Sequence, residues 1–219
     1  MNTYYFQAVS KKLGIAKKLY MGELGASYYE ALLIISGILS ATSRILWPGE
    51  NLDRKKFVEL LIKYNKTEND FSTISLPILN ESKFLTKDQE NKLLKDYNQK
   101  SYSQVFISKD IDLPEHVIVA ICPDINLKKL REYSYANLFY KYVRSSIVHE
   151  YSVSDFASSV PMTRRSDFVS YINNIKHPYR RICFHFENLI EVVDNIALEI
   201  SLFIEKTPIE EPSKWWLDE

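Results

Sequence analysis

The chain has 219 residues, of which 46% are hydrophobic and 26% are charged, a composition that excludes an intrinsically disordered protein. Its 28 Lys and Arg residues are balanced by 28 Asp and Glu residues, so no global field draws it onto nucleic acid or an anionic membrane. The two cysteines, Cys122 and Cys183, have no C-x-x-C spacing, which argues against a disulfide scaffold and fits a reducing cytosol.

The first fifty residues predict two helices. From about Tyr4 to Tyr20, lysines alternate with spaced apolar side chains, the pattern of a surface helix. Ser27-Tyr-Tyr-Glu30 is a capping-box motif, and the apolar run from Ala31 to Trp47 predicts a central buried helix that ends at Pro48-Gly49. The N-terminus shows no secretory signal, and the most apolar stretch, residues 31–39, is too short for a bilayer. We therefore predict a cytoplasmic protein with no membrane partner.

The middle of the chain shows weaker patterns. Asp53 is placed to cap a helix that runs to Tyr64. Residues 66–122 form a predicted irregular insertion, in which Thr86-Lys-Asp-Gln89 opens a short charged helix. The part from Tyr102 to Cys122 fits either strands or a helix that starts at Pro114, and both interpretations stay open.

The last part of the chain predicts a long helix, a hairpin and a final helix. Asp124 is placed to cap a segment free of Gly and Pro that reaches Tyr151. Phe168–Ile172 and Arg181–Phe186 are short extended runs, which predict a β-hairpin. From Glu187 onward, apolar residues recur at helical spacing, namely Leu189, Val193, Ile196, Ile200 and Phe203.

These elements predict a mainly α fold: a helical bundle with an irregular insertion and a short β-hairpin before the last helix. We assign residues 1–207 to a single helical domain. Residues 208–219 are predicted to be a loose tail that docks or swaps through Trp215 and Trp216.

The candidate chemistry lies in an R-x4-H pair, Arg144 and His149, late in the long predicted helix. A fixed cation beside a group that titrates near neutrality is what metal-free RNA cleavage requires. On an α-helix the two residues lie about 140° apart, and both can reach a groove edged by two packed helices. Ser145 lies one turn before His149, where it can hydrogen-bond the imidazole. Tyr140 and Glu150 are further supporting candidates in the same run.

A second pair with the same spacing, Arg180 and His185, lies on a predicted strand. An odd separation on a strand sends side chains to opposite faces, so we interpret this pair as a chance match. Cys183 lies two residues from His185, and the favoured interpretation is a packed cysteine beside a surface histidine rather than a catalytic dyad. Around this hairpin lies a basic group that fits either an RNA-phosphate patch or, more commonly, a solvated rim. Its members are Arg164, Arg165, Lys176, His177, Arg180 and Arg181.

Several other chemistries are excluded by spacing. All five glycines lie within the first quarter of the chain, so it has neither a Walker loop nor a G-x-G-x-x-G fingerprint. His149-Glu150 begins like the zinc-protease motif H-E-x-x-H, but Val153 occupies the position of the second histidine. We therefore expect no metal site and no cofactor.

The run Asn137-Leu-Phe-Tyr-Lys-Tyr-Val-Arg-Ser-Ser-Ile-Val-His-Glu-Tyr151 resembles the signature helix of HEPN domains, the higher-eukaryote and prokaryote nucleotide-binding family. The order of the predicted helices is also similar. The resemblance implies an all-α bundle that forms a homodimer, and family members are often RNA endonucleases of toxin–antitoxin and antiphage systems. It further implies that Arg144 and His149 meet their symmetry mates at the dimer interface. Catalytic members often carry Asn, Asp or His after the motif arginine, whereas this chain has Ser145.

Two functions follow from the residues and the resemblance. The first is a metal-independent endoribonuclease in which His149 transfers protons and Arg144 stabilises the phosphorane, leaving a 2′,3′-cyclic phosphate. The second is a non-catalytic module that dimerises and binds RNA or a protein. An antitoxin or sensor protein is a further expected partner. The purely structural alternative is that Arg144 pairs with a carboxylate such as Glu150 of a neighbouring chain while His149 caps its helix.

Overall fold

The computed structural model describes residues 2–100, 105–158, 167–173, 179–204 and 210–219, and it shows a mainly α-helical protein. The α-helices are α1 (Asn2–Tyr20), α2 (Tyr28–Leu46), α3 (Asp53–Tyr64), α4 (Leu76–Glu81), α5 (Lys87–Leu93), α6 (Lys95–Asn98), α7 (Ser108–Ile111), α8 (Glu115–Ile121), α9 (Leu127–Leu130), α10 (Tyr135–Leu138), α11 (Ser146–Glu150) and α12 (Phe186–Ile204). A π-helical segment, Phe139–Ser145, joins α10 to α11. The fold class predicted from the sequence is confirmed.

Helix α2 is the centre of the bundle, and α1, α3 and α12 pack around it. Its N-terminus carries the predicted capping box, in which Ser27 and Glu30 satisfy each other's backbone amides. By length and composition alone, α2 would also suit a membrane crossing. Half of that apolar window is buried inside the protein, where the helix packs against α1, α3 and α12.

A small antiparallel sheet lies beside the bundle. Its strands, in sheet order, are β1 (Phe106–Ile107), β2 (Val169–Asn173) and β3 (Arg180–Phe184). The pairing of β2 with β3 confirms the predicted hairpin, and β1 adds an edge strand to it. Tyr171 of β2 stands opposite Phe106 on one side and Ile182 on the other, so these three side chains lie on the same face of the sheet.

The described residues of the predicted insertion, 66–100 and 105–122, contain five short helices and strand β1, more regular structure than the sequence predicted. Helices α4, α5, α8 and α9 contribute side chains to a second apolar cluster. Its buried members are Ile74, Leu76, Leu79, Leu85, Leu93, Leu94, Ile118, Cys122, Ile125 and Leu130. Helices of four to seven residues are too short to show a clear apolar period, and they are stable only through such tertiary packing. Thr86 and Gln89 form the predicted capping box of α5. Helix α8 begins directly after Pro114, which agrees with one of the two interpretations left open for the part from Tyr102 to Cys122.

The long helix predicted after Asp124 is interrupted. Ser134 has extended backbone, with ψ 150°, and its hydroxyl accepts a hydrogen bond from the backbone N–H of Asn137. The cap of the earlier helix is Asn126 rather than Asp124. Any residue type adopts extended backbone, so no Gly or Pro is needed at this break. We call the continuous helix from α10 through the π-helical segment to α11, residues 135–150, the motif helix.

The described part of the tail, residues 210–219, docks on its own chain. Trp215 packs edge-on against Trp47, with ring centroids 5.4 Å apart. The backbone N–H of Trp216 donates to Glu59 Oε2 at 2.8 Å, and the Arg131 guanidinium lies over the Trp216 ring. The prediction that the tail docks through its tryptophans is thereby confirmed, and the description of this part as a loose end is wrong.

Candidate functional site

The motif helix packs antiparallel to α2, and this contact positions Arg144. The Nε of Arg144 donates to Ser40 Oγ at 3.1 Å, and its guanidinium lies 5.1 Å from the centre of the Tyr140 ring. Tyr140 in turn packs edge-on against Phe57 of α3. Arg144 is half-buried and is held by a neutral hydroxyl and an aromatic ring. Among the described residues no hydrogen-bond partner faces its other N–H groups, so these can bind a ligand.

Arg144 lies at a surface cavity of about 290 Å³ between α2, α3 and the motif helix. The lining residues are Ser40, Ala41, Ser43, Arg44, Asp53 and Arg144. Arg44 and Asp53 form an exposed ion pair with an N···O distance of 3.7 Å. The described lining thus carries two guanidinium groups and one carboxylate, a net positive charge.

His149 lies in the last turn of α11 and is exposed. Within the described residues its side chain makes no hydrogen bond or ion pair, and the predicted bond from the half-buried Ser145 is absent. Glu150 is exposed beside it. The helix end itself is fixed, because the Tyr151 hydroxyl donates to Glu30 Oε1 at 2.7 Å. Hydrogen bonds from Ser27 and Tyr151 lower the pKa of Glu30 to about 2, so this acceptor is ionised at neutral pH.

The motif helix is not a regular α-helix. Its π-helical segment, with i→i+5 hydrogen bonds, ends at Ser145, one residue after Arg144. The angle of about 140° expected for an α-helix therefore does not describe the relation of Arg144 to His149. Short π segments occur frequently at functional sites, where they turn a side chain away from its α-helical direction.

The basic group near the hairpin is only partly described. Arg164, Arg165, Lys176 and His177 lie outside the described residues. Arg180 is buried, with its guanidinium 3.8 Å from the centre of the Phe106 ring, so the solvated-rim interpretation is wrong for it and RNA phosphates have no access. Arg181 is half-buried, 3.8 Å from Asp155. The edge strand β1, which the sequence did not predict, is what covers Arg180.

His185 is buried, which corrects its interpretation as a surface residue. Its Nε2 lies 2.9 Å from Ser170 Oγ, and burial lowers the pKa of the imidazole. Cys183 is packed as predicted, and burial raises the pKa of its thiol to about 12, which leaves it unreactive. Neither Arg180 nor His185 is accessible for chemistry, so the second R-x4-H pair forms no site.

A buried polar cluster went unpredicted. Asp112 accepts hydrogen bonds from the hydroxyls of Tyr135 and Tyr171, the latter at 2.6 Å, and from the backbone N–H of Leu76 at 2.8 Å. The Tyr171 hydroxyl also lies 2.8 Å from Ser75 Oγ. Burial raises the pKa of Asp112 to about 7 in spite of these bonds. The cluster joins the insertion, the motif helix and the sheet at one point.

The Asp112 cluster borders a second cavity, of about 510 Å³, which Asp112 and Tyr135 line together with Lys109 and Asp167. Sequence patterns do not connect these residues, because they lie on three separate segments. The one sequence feature that could have indicated the cluster is Asp112 itself, an acidic residue between the apolar residues Ile111 and Leu113. Across the part of the chain that the structure describes, no group of His, Cys, Asp and Glu side chains could hold a metal ion.

The chain matches no protein-family model, and comparison with curated proteins and with solved structures finds no match either. The resemblance to HEPN domains, the role of the Arg144 and His149 pair and the single-domain assignment therefore stay predictions.

Proposed function

We propose that this protein is a metal-independent endoribonuclease whose active site forms when the motif helices of two copies meet. The observation that supports it is the arrangement of Arg144, which is held by Ser40 and Tyr140 at the edge of a positively charged cavity. A cation fixed in this way needs little reorganisation to stabilise charge on a phosphate. His149, exposed near the end of the same helix, supplies an imidazole, the side chain that most often serves as a general acid or base.

In the proposed reaction, the imidazole of His149 removes the proton from a ribose 2′-hydroxyl. The 2′-oxygen attacks the adjacent phosphorus, and the P–O bond to the 5′-oxygen breaks. A protonated imidazole, from the His149 of either copy, returns a proton to the leaving 5′-oxygen. Arg144 neutralises the charge that builds on the non-bridging oxygens. The products are a 2′,3′-cyclic phosphate and a 5′-hydroxyl, and no metal takes part.

The resemblance to HEPN domains also suggests a cellular role for the proposed enzyme. A cytoplasmic toxin or antiphage effector, restrained by an antitoxin or a sensor protein, is the role that such an enzyme serves in that family. The net charge of zero agrees with a protein that binds RNA through a local site.

Cleavage of single-stranded RNA in the presence of EDTA is the direct test. We expect the purified protein to produce ends with a 2′,3′-cyclic phosphate, and Arg144→Ala to lower the rate by about 10²- to 10³-fold, as loss of a charge-stabilising group does. Lys17→Ala, which removes an exposed cation of α1, is the matched control and should cut at the parent rate. Equal rates for the Arg144→Ala and Lys17→Ala proteins would rule out the assigned role of Arg144.

The second candidate is a non-catalytic module that dimerises and binds RNA or a protein. It is favoured by the lack, within the described chain, of any hydrogen bond that orients His149. A protein of this class leaves RNA intact in EDTA while it still forms a dimer.

The dimer itself is testable by cross-linking, because both native cysteines are buried. Val148, 45% exposed beside His149, is a suitable position for a new cysteine, and Ile121 of α8, 39% exposed, is the matched control. With a short bis-maleimide we expect Val148→Cys to give a covalent dimer and Ile121→Cys to stay monomeric on a denaturing gel. A Val148→Cys protein that stays monomeric contradicts a site shared between two motif helices.

A further inference from the structure

Arg44 lies one turn beyond Ser40 on α2, and its side chain lines the same cavity as Arg144. The two helices are antiparallel, since Glu30 of α2 bonds Tyr151 at one end of their contact and Ser40 bonds Arg144 further along. Along this contact Arg44 therefore lies beyond Arg144, on the side away from His149. A chain of phosphates that passes His149 and Arg144 reaches Arg44 next.

The cavity has the size and the donors for one phosphodiester group. Its volume of about 290 Å³ corresponds to roughly ten water molecules of the liquid. Arg44 contributes a guanidinium fork, which suits bidentate contact with phosphate oxygens, and Ser40 brings a hydroxyl to the wall. The Ser43 hydroxyl is not such a donor, because it donates to the carbonyl of Ser40 at 3.0 Å.

Among the described residues that line the cavity, Asp53 is the one acidic side chain, and in the free protein it forms an ion pair with Arg44. Their ion pair is exposed, with 63% of the Arg44 side chain and 46% of the Asp53 side chain accessible, and it is long at 3.7 Å. An exposed pair of this kind contributes little, so a phosphate can replace Asp53 as the partner of Arg44. The carboxylate meanwhile repels an incoming phosphate, and removing its charge should tighten binding.

We propose that this cavity is a second phosphate-binding subsite, in which Arg44 holds the phosphodiester of single-stranded RNA next to the one that is cut. The assignment rests on the proposed function for the identity of the cut phosphate at Arg144 and His149. Arg44 is then a binding residue that sets how many nucleotides the site needs, and it does not touch the reacting atoms.

The test measures binding of single-stranded RNA in a His149→Ala background, in which the RNA stays intact. We expect Arg44→Ala to raise the Kd about tenfold, as loss of a charge-assisted contact does. The slope of log Kd against log salt should fall by about one, since one fewer phosphate is neutralised. Asp53→Asn should shift the Kd the opposite way, to a lower value. Arg44 and Asp53 are both exposed, so their variants are expected to fold, and thermal melting checks this.

Lys17→Ala, made in the same background, controls for the loss of one positive charge elsewhere on the surface. Equal affinities for the Arg44→Ala and Lys17→Ala proteins overturn the subsite, and so does an Asp53→Asn protein that binds RNA more weakly than its parent. If the parent protein fails to cut RNA while Arg44 still controls its affinity and salt dependence, the endoribonuclease proposal fails and the subsite stands.

Discussion

Replacing His149 by alanine is expected to lower the rate of RNA cleavage by about 10²- to 10⁴-fold, the range that one general acid–base group supplies. The side chain is exposed and lies outside both apolar clusters, so the substitution should leave the fold unchanged. Initial rates on a labelled single-stranded RNA in EDTA measure the effect. Circular dichroism of the variant confirms that helix content is retained.

Chemical rescue sharpens this prediction. Because His149 is open to solvent, imidazole added to the His149→Ala protein has access to the space that the side chain leaves. We expect it to restore part of the lost rate, whereas the Arg144→Ala protein should gain nothing from imidazole. A His149→Ala protein that cuts RNA at the parent rate contradicts the assignment of His149 as the proton-transfer group.

Replacing Asp112 by asparagine is expected to raise the free energy of unfolding by about 4 kcal/mol at pH 8, while the gain nearly vanishes near pH 4. The pKa of Asp112 is about 7 in the folded protein, against an ordinary value of 3.8. Well below pH 3.8 the carboxyl is protonated in both the folded and the unfolded state. Between pH 4 and pH 7 the unfolded chain ionises first, so stability is lost as the pH rises, and above pH 7 the loss is complete.

Asparagine keeps an acceptor for the amide of Leu76 and a donor for a tyrosine hydroxyl, but it never ionises. Urea unfolding of both proteins at pH 4.5 and pH 8 measures the difference. Tyr171→Phe, which removes one of the two hydroxyls bound to Asp112, is the companion variant and should lower stability at both pH values. If the stabilities of the parent and the Asp112→Asn protein stay parallel across this range, Asp112 does not titrate within it.

Local signals allowed several elements of the fold to be predicted. The capping boxes at Ser27 and Thr86 were predictable because their partners, Glu30 and Gln89, lie three residues away in sequence. The hairpin was predictable from two extended runs of suitable composition. The break at Ser134 was not, because extended backbone at one serine leaves no mark on apolar spacing.

The candidate site also contains residues that the sequence could predict and residues that it could not. Arg144 and His149 were found as a motif on one helix, but the residues around Arg144 come from elsewhere in the chain. Ser40 lies 104 positions from Arg144, and nothing local links them. The π-helical segment was also missed, because no local sequence pattern marks a change from i→i+4 to i→i+5 hydrogen bonds. Arg180 was wrongly assigned to the surface. An arginine in a polar stretch is predicted to be exposed, and the sequence did not indicate strand β1, whose Phe106 covers the Arg180 guanidinium.

Because the tail is docked on the bundle, the intrinsic tryptophan fluorescence of the protein reports on the state of the tail. The three tryptophans of the chain, Trp47, Trp215 and Trp216, all lie where the tail meets the bundle, and the Trp47 indole N–H donates to the carbonyl of Glu210. Emission is therefore a local gauge of tail detachment, whereas the far-ultraviolet dichroism follows the helices. A red shift that precedes the loss of helix signal marks release of the tail from an otherwise folded bundle, so a melting curve followed by fluorescence alone understates the stability of the site.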